Sequence, residues 1–299
     1  MWKFVVVPSV LSSAIATVPT VTIAPGVEMP MLAFGSASTS FTSCTVQEGV
    51  EQWLKLGGRH LDTADDYGTQ PDVGRAMAGS SVPRSEVFIT TKIPGPIGKT
   101  AVIDKILNTA LPELAVNYID LVLIHFPCYN FTGCGSLEKA ARLDTWAGLA
   151  ELRDAGTIRA VGVSNYDVEQ IMEIKEAFQE VPVVNQVQFH LAYHNETLLR
   201  SLKDLGTVQE AWAPLGGPTV HGRTPTISLG DERLEEVAAR YNVSTAQVVL
   251  RWENQKGVVP VTATCTAAHA VGDLSAFDFQ LSDSDISYLD GLVPPEVVV

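Results

Sequence analysis

Positive charge is scarce in this chain. Its 299 residues carry 20 Lys and Arg against 34 Asp and Glu, a formal net charge of −14 at pH 7. A surface of that sign repels phosphate backbones, which excludes nucleic acid as a natural partner. Beyond the first residues no apolar run reaches the roughly 18 positions a membrane-spanning helix needs, so no integral membrane segment is expected in the mature chain. No G-x-G-x-x-G turn opens the first strand–helix unit, so any nucleotide is held without that phosphate-cradling loop. No His-x-His pair closes a strand candidate. No ligand pair for a catalytic metal is therefore evident, and a metal-dependent hydrolase is disfavoured. No linker, low-complexity tract or shift in composition divides the chain, and a single core is the economical reading.

Acid is missing from the start of the chain, the first being Glu28. Lys3 precedes an apolar stretch over 4–16 that ends Ala14-Ile15-Ala16. A basic start, a short apolar region and small residues at the cleavage positions have the shape of a secretory signal. The expectation is a leader over 1–18 and one domain over 19–299, in the secretory lumen or secreted. The alternative is a loosely packed N-terminal extension on a cytoplasmic protein. Asn130-Phe-Thr, Asn195-Glu-Thr and Asn242-Val-Ser are N-glycosylation sequons and agree with secretion. The four cysteines permit two disulfides without requiring them.

What is present is regular alternation. Residues 20–23 and 29–34 flank the turn Ala24-Pro25-Gly26, which reads as a hairpin running into a first buried strand. Strand candidates follow at 31–34, 60–62, 87–91, 119–124, 158–163, 183–188, 208–213 and 258–261. Helical periodicity lies between them, as at 45–56, 102–114, 145–155, 168–177 and 196–205. Strands separated by helices of this length predict a parallel sheet, and eight repeats predict closure into a (β/α)₈ TIM barrel, with an open doubly wound sheet as the alternative.

In a parallel barrel, catalytic groups gather where strands end and loops begin. Asp62 closes the second strand and Tyr67 follows in its loop; Lys92 closes the third strand and His125 the fourth. Singly, each has an ordinary structural reading: a helix cap, a packing phenol, a solvated ammonium. Together at consecutive strand ends they suit carbonyl reduction. A phenol is a reluctant acid near neutrality, an adjacent ammonium favours its phenolate, and a carboxylate holds the ammonium. Tyr67 then protonates the developing alkoxide, while His125 holds the substrate oxygen.

The segments 58–68 (GRHLDTADDYG), 118–125 (YIDLVLIH) and 162–165 (GVSN) resemble the signature segments of the aldo-keto reductases, in the same order and over nearly all of the chain after residue 20. The resemblance implies NAD(P)H-dependent reduction of aldehydes or ketones with a proton from the tyrosine. It also implies that Ser164, Asn165 and Gln186 bind the nicotinamide carboxamide and that Trp212 stacks on the ring. Ser164 and Asn165 could instead cap the following helix, and Trp212 could be a core aromatic.

The chain departs from the family after the eighth strand. The family's adenosine-phosphate anchor of Lys, Ser or Thr, Arg and Asn corresponds here to Ala263, Thr264, His269 and Asp273. Two cations that would neutralise a 2′-phosphate are missing. Charge-assisted contacts of that kind contribute about 1.5–3 kcal/mol each, so NADH is expected to be favoured over NADPH. Ala37 stands where many relatives carry a bulky aromatic, so a more open pocket for a small carbonyl substrate is expected. In a closed barrel, Cys44 and Cys265 fall on adjacent loops of one face, and Cys128 and Cys134 share a loop. Disulfides Cys44–Cys265 and Cys128–Cys134 are thus open alternatives to four free thiols. The leading expectation is a monomeric oxidoreductase; the other is a cofactor-poor, non-catalytic binding protein of the same fold.

Overall fold

A computed structural model of the chain describes residues 18–37, 43–128, 136–216 and 227–292. The leading segment 1–17, Asn130 and Cys134 lie outside the described residues, so the expected leader is among them only at Val18. A two-stranded antiparallel hairpin, β1 (Thr20–Ala24) and β2 (Val27–Pro30), comes first. Eight parallel strands then close into a barrel: β3 (Ala33–Gly35), β4 (His60–Asp62), β5 (Phe88–Ile93), β6 (Ile119–Ile124), β7 (Ile158–Ser164), β8 (Val184–Gln188), β9 (Val208–Trp212) and β10 (Val258–Thr262). Closure is made where Val261 and Thr262 of β10 pair with Ala33 and Phe34 of β3. The expected barrel with its N-terminal hairpin is what the chain forms.

The helices are α1 (Val46–Lys55), α2 (Gln70–Gly79), α3 (Lys99–Lys105), α4 (Leu111–Leu114), α5 (Ser136–Asp154), α6 (Val168–Phe178), α7 (Glu196–Leu205), α8 (Glu232–Tyr241), α9 (Thr245–Gln255), α10 (Ala267–Leu274) and α11 (Asp283–Asp290). A π turn over Ile106–Ala110 joins α3 to α4, which makes the expected helix over 102–114 continuous but locally widened and underwound in its middle. Capping boxes start α1 at Thr45, α6 at Asp167 and α9 at Ser244, each with Glu or Gln three residues on. None of the helices among the described residues is long and apolar enough to cross a membrane.

Strands buried on both faces read as continuous apolar runs, and every residue of β5 and β6 is buried. At their N-terminal ends, Asp120 accepts from Arg84, Arg159 and the Ile89 amide, which ties β5, β6 and β7 together away from the site. The hairpin plugs that end of the barrel: Ile23, Val27 and Met29 pack on Phe88, Leu121, Ala160 and Val259. Burying side chains of this kind contributes about 1.5–3 kcal/mol each. Gly162 lets β7 lie flat, since a Cβ there would meet Leu123 at 2.6 Å and the Val184 carbonyl at 2.7 Å. With one end plugged, the opposite mouth is left for chemistry.

Candidate active site

Lys92, at the end of β5, has no exposed surface and aims its ammonium at three acceptors. Nζ lies 2.6 Å from Asp62 Oδ1, 3.1 Å from the Thr63 carbonyl and 3.3 Å from Tyr67 Oη. Three N–H donors are thereby matched to three oxygens, and the ammonium needs no water. Burial alone would push Lys92 down, but the Asp62 carboxylate and the Tyr67 oxygen hold it above the ordinary lysine value.

Tyr67 stands on a short 3₁₀ turn, Asp65–Tyr67, closed by Gly68 at φ +67°. The turn is held by Lys105, which bridges to Asp65 at 2.8 Å. Sequence reasoning expected the ammonium to lower the Tyr67 value. In the protein by itself the phenol is raised, because burial and the Asp62 charge outweigh Lys92. The correction is physical: a desolvated phenol resists ionisation even with a cation 3.3 Å away.

His125 closes β6, its ring edge-on to Tyr67 at 5.6 Å between centroids. Its Nδ1 lies 3.1 Å from Asp66 Oδ1. A carboxylate only accepts, so Nδ1 carries the proton and the neutral ring keeps its lone pair on Nε2. Burial depresses His125, with the Asp66 hydrogen bond opposing. Asp66, half-exposed, is held below its ordinary value by His125 against its own burial.

The next strand ends complete the mouth. Asn165 follows β7 in the left-handed region at φ +62°, which Asn tolerates better than most residues. Its Nδ2 donates to the His125 carbonyl and to Ser164 Oγ, both at 3.0 Å, and its Oδ1 accepts from Trp212 Nε1 at 3.0 Å. Trp212 is half-buried and moored to Asn165 instead of being lost in the core. Helix capping does not account for Ser164 and Asn165, because Asp167 caps α6. Gln186 is 2% exposed, and its Nε2 donates inward to Asp62 Oδ2 at 2.9 Å and Glu210 Oε2 at 3.1 Å.

Asp62, Tyr67, Lys92 and His125 are thus brought together, with Ser164, Asn165, Gln186 and Trp212 on the adjoining arc. Thr264 and His269 lie apart on the segment after β10. Thr264 Oγ1 accepts from the Thr266 amide at 3.0 Å within its own turn, and His269 is exposed. Asp273, whose carboxyl burial pushes up to about 6, accepts from Thr262 at 3.1 Å. No Lys or Arg follows Lys256 in the sequence. Cys44 and Cys265 form a disulfide across 221 residues, and Cys128 is also disulfide-bonded. Its expected partner Cys134 lies outside the described residues.

Two participants escaped the sequence reading. Asp66 gave no signal, because only the fold brings its loop to the end of β6. Glu210 had one: an acid in the strand Val208-Gln-Glu-Ala-Trp212, a setting that disfavours it. Elsewhere, His194, Glu196 and Asp290 have metal-ligand chemistry, but the Lys256 ammonium is bonded to Glu196 at 2.9 Å and Asp290 at 2.8 Å.

Comparison with known proteins matches this architecture. Residues 31–294 fit the model of the Aldo/keto reductase family. The chain is 34% identical to glyoxal reductase of Bacillus subtilis (strain 168) over 273 residues, which cover 91% of this chain and 92% of that protein. It is 30% identical to morphine 6-dehydrogenase of Pseudomonas putida, over 92% of this chain and 91% of that one. Among solved structures, a Bombyx mori aldo-keto reductase in complex with NADP superposes with a TM-score of 0.84 at 28% identity, over 93% of each chain.

Proposed function

We propose that this chain, which belongs to the aldo/keto reductase family, reduces a small aldehyde or ketone with Tyr67 as the proton donor. NAD(P)H-dependent carbonyl reduction comes with the family. The observation that carries the finer reading is the line Asp62–Lys92–Tyr67, with 2.6 Å and 3.3 Å between its members. A reduced nicotinamide, when bound, supplies the hydride.

The residues fit that group at its nicotinamide end. The half-buried Asn165 keeps acceptor capacity on Oδ1, Trp212 offers an indole face anchored by its own N–H, and the buried Ser164, which donates to the Gln186 carbonyl at 2.7 Å, holds Asn165 in place. Tyr67 gives its proton to the oxygen of the reacting carbonyl. The phenolate left behind is met by the Lys92 ammonium, whose charge Asp62 balances. His125, with Asp66 on its Nδ1, presents Nε2 to that oxygen: a donor when the ring is charged, an acceptor from the product hydroxyl when it is neutral.

The adenosine end supports NADH over NADPH. Ala263, Thr264, His269 and Asp273 bring no permanent cation to a 2′-phosphate, and no Lys or Arg lies beyond Lys256. The Cys44–Cys265 bond supports residence in an oxidising compartment, and hence the secretory reading. We take the protein to act as a monomer.

The test is a pair of measurements. Fluorescence titration with NADH and NADPH should quench Trp212, with NADH the tighter; no quenching by either supports a binding protein instead. Turnover of glyoxal should fall about 10²–10⁴-fold in Tyr67→Phe with the melting temperature nearly unchanged. Undiminished turnover removes Tyr67 from the role.

A further inference from the structure

Glu210, in β9, is an acid the chemistry above leaves unused. It has no exposed surface. Its Oε2 accepts from Gln186 Nε2, the same nitrogen that donates to Asp62 Oδ2, so two carboxyl groups share one amide. Its Oε1 has no hydrogen-bond partner. His60 Nε2 lies 3.7 Å from that Oε1.

That contact is not an ion pair. His60 Nδ1 lies 3.0 Å from the Pro30 carbonyl, which only accepts, so Nδ1 carries the proton. Burial pushes the ring down to about 4 and keeps it neutral near pH 7, with Nε2 as an acceptor that takes the Thr90 hydroxyl at 2.9 Å. An ionised Glu210 would therefore face a lone pair on one side and a second carboxylate on the other. The Lys92 ammonium cannot serve it, since its donors already meet Asp62, Thr63 and Tyr67. A protonated Glu210 suits the same surroundings, because a neutral carboxyl needs no counter-charge and still accepts from the Gln186 amide.

We propose that Glu210 is a positioning acid: protonated, it leaves Asp62 as the sole counter-charge of Lys92, and on ionising it places a second negative charge behind the Asp62–Lys92–Tyr67 line and weakens Tyr67 as a proton donor. The inference rests on the role proposed for Tyr67. The groups that face Glu210 are His60 and Asp62 from β4, Lys92 from β5 and the uncharged Gln186 from β8. β10, its neighbour on the other side, is Val258-Val-Pro-Val-Thr262 and brings no charge. Burial first, and the Asp62 charge second, raise the Glu210 carboxyl to about 8, within reach of an assay.

The experiment compares the natural chain with Glu210→Gln, an uncharged isostere of the protonated acid. Glu210→Met replaces it should the amide fail to fold. In carbonyl reduction from pH 6 to 10, the natural chain should lose about three- to tenfold in rate across a break near pH 8, and the variant should lack that break. Superimposable profiles overturn the proposal, and so does a variant slowed equally at every pH. Melting without cofactor gives an independent readout. An acid raised on folding stabilises fully below its unfolded value, and that stability is lost as pH rises through the folded value. The melting temperature of the variant minus that of the natural chain should therefore grow from pH 5 to 8 and then level. A flat difference overturns the proposal. If the natural chain reduces no carbonyl, the reading of Tyr67 fails, while melting still decides whether Glu210 is held protonated.

Discussion

Replacing Lys92 by Met tests whether the buried pair at the centre of the site is a coupled unit. Lys92 is fully buried and Asp62 is 2% exposed, so neither charge leans on water. With the ammonium gone, Asp62 keeps only neutral donors, such as the Gln186 amide at 2.9 Å. Removing one partner of a buried ion pair costs about 3–5 kcal/mol, a large share of the roughly 5–15 kcal/mol that holds a domain folded. At about 2–4 °C per kcal/mol for a domain approaching this size, the melting temperature at pH 7 should fall by about 6–20 °C. Asp62→Asn alone leaves the cation with the Thr63 carbonyl and Tyr67, and should also destabilise. The double variant Asp62→Asn/Lys92→Met removes both charges and should recover part of the loss, giving a non-additive cycle. Acidification lets the orphaned carboxylate take up a proton, so the deficit of Lys92→Met should shrink as pH falls. Thermal and denaturant unfolding of the four proteins measure all of this without a substrate. A Lys92→Met protein as stable as the natural one at pH 7, or a double variant equal to the sum of the singles, refutes the reasoning.

Two further perturbations bear on the rim. Asp66→Ala removes the acceptor on His125 Nδ1, so the ring charges less readily and loses its fixed orientation. KM for a carbonyl should rise about tenfold while stability changes by less than about 1 kcal/mol, since Asp66 is half-exposed. Cys44→Ser/Cys265→Ser releases a closure spanning 221 residues and should cost about 2–5 kcal/mol. It should also weaken NADH binding, because the bond ties down the segment that includes Thr264 and His269. Unchanged melting and unchanged NADH titration would show that the bond constrains neither.

The strand ends were legible in the sequence because a parallel barrel needs short, fully buried runs at regular intervals. Residues 60–62 and 119–124 were read to their limits, and Asp62, Lys92 and His125 stood out as polar residues closing apolar strands. Tyr67 followed from its loop. Other limits shifted for physical reasons. The first barrel strand begins at Ala33 and not at Met31, because parallel pairing with β10 starts only at Val261↔Ala33. The helix expected from residue 145 begins at Ser136, since its first turns are rich in charge and show little periodicity.

Pairing across the barrel was legible only in part. Closure itself placed Cys44 beside Cys265, and that disulfide is present, whereas that Glu210 shares an amide with Asp62 and that Asp66 fixes the proton on His125 depend on side-chain contacts that strand order alone does not give. The sign of the Tyr67 shift was beyond sequence for a related reason: residue types supply the charges, but only the fold sets how much water is removed from around them. The amino-acid sequence by itself determined the repeating strand–helix order and the identity of the chemical groups at the strand ends. The tertiary structure alone decided their partners and protonation, because both are set by distance and burial between residues far apart in the chain.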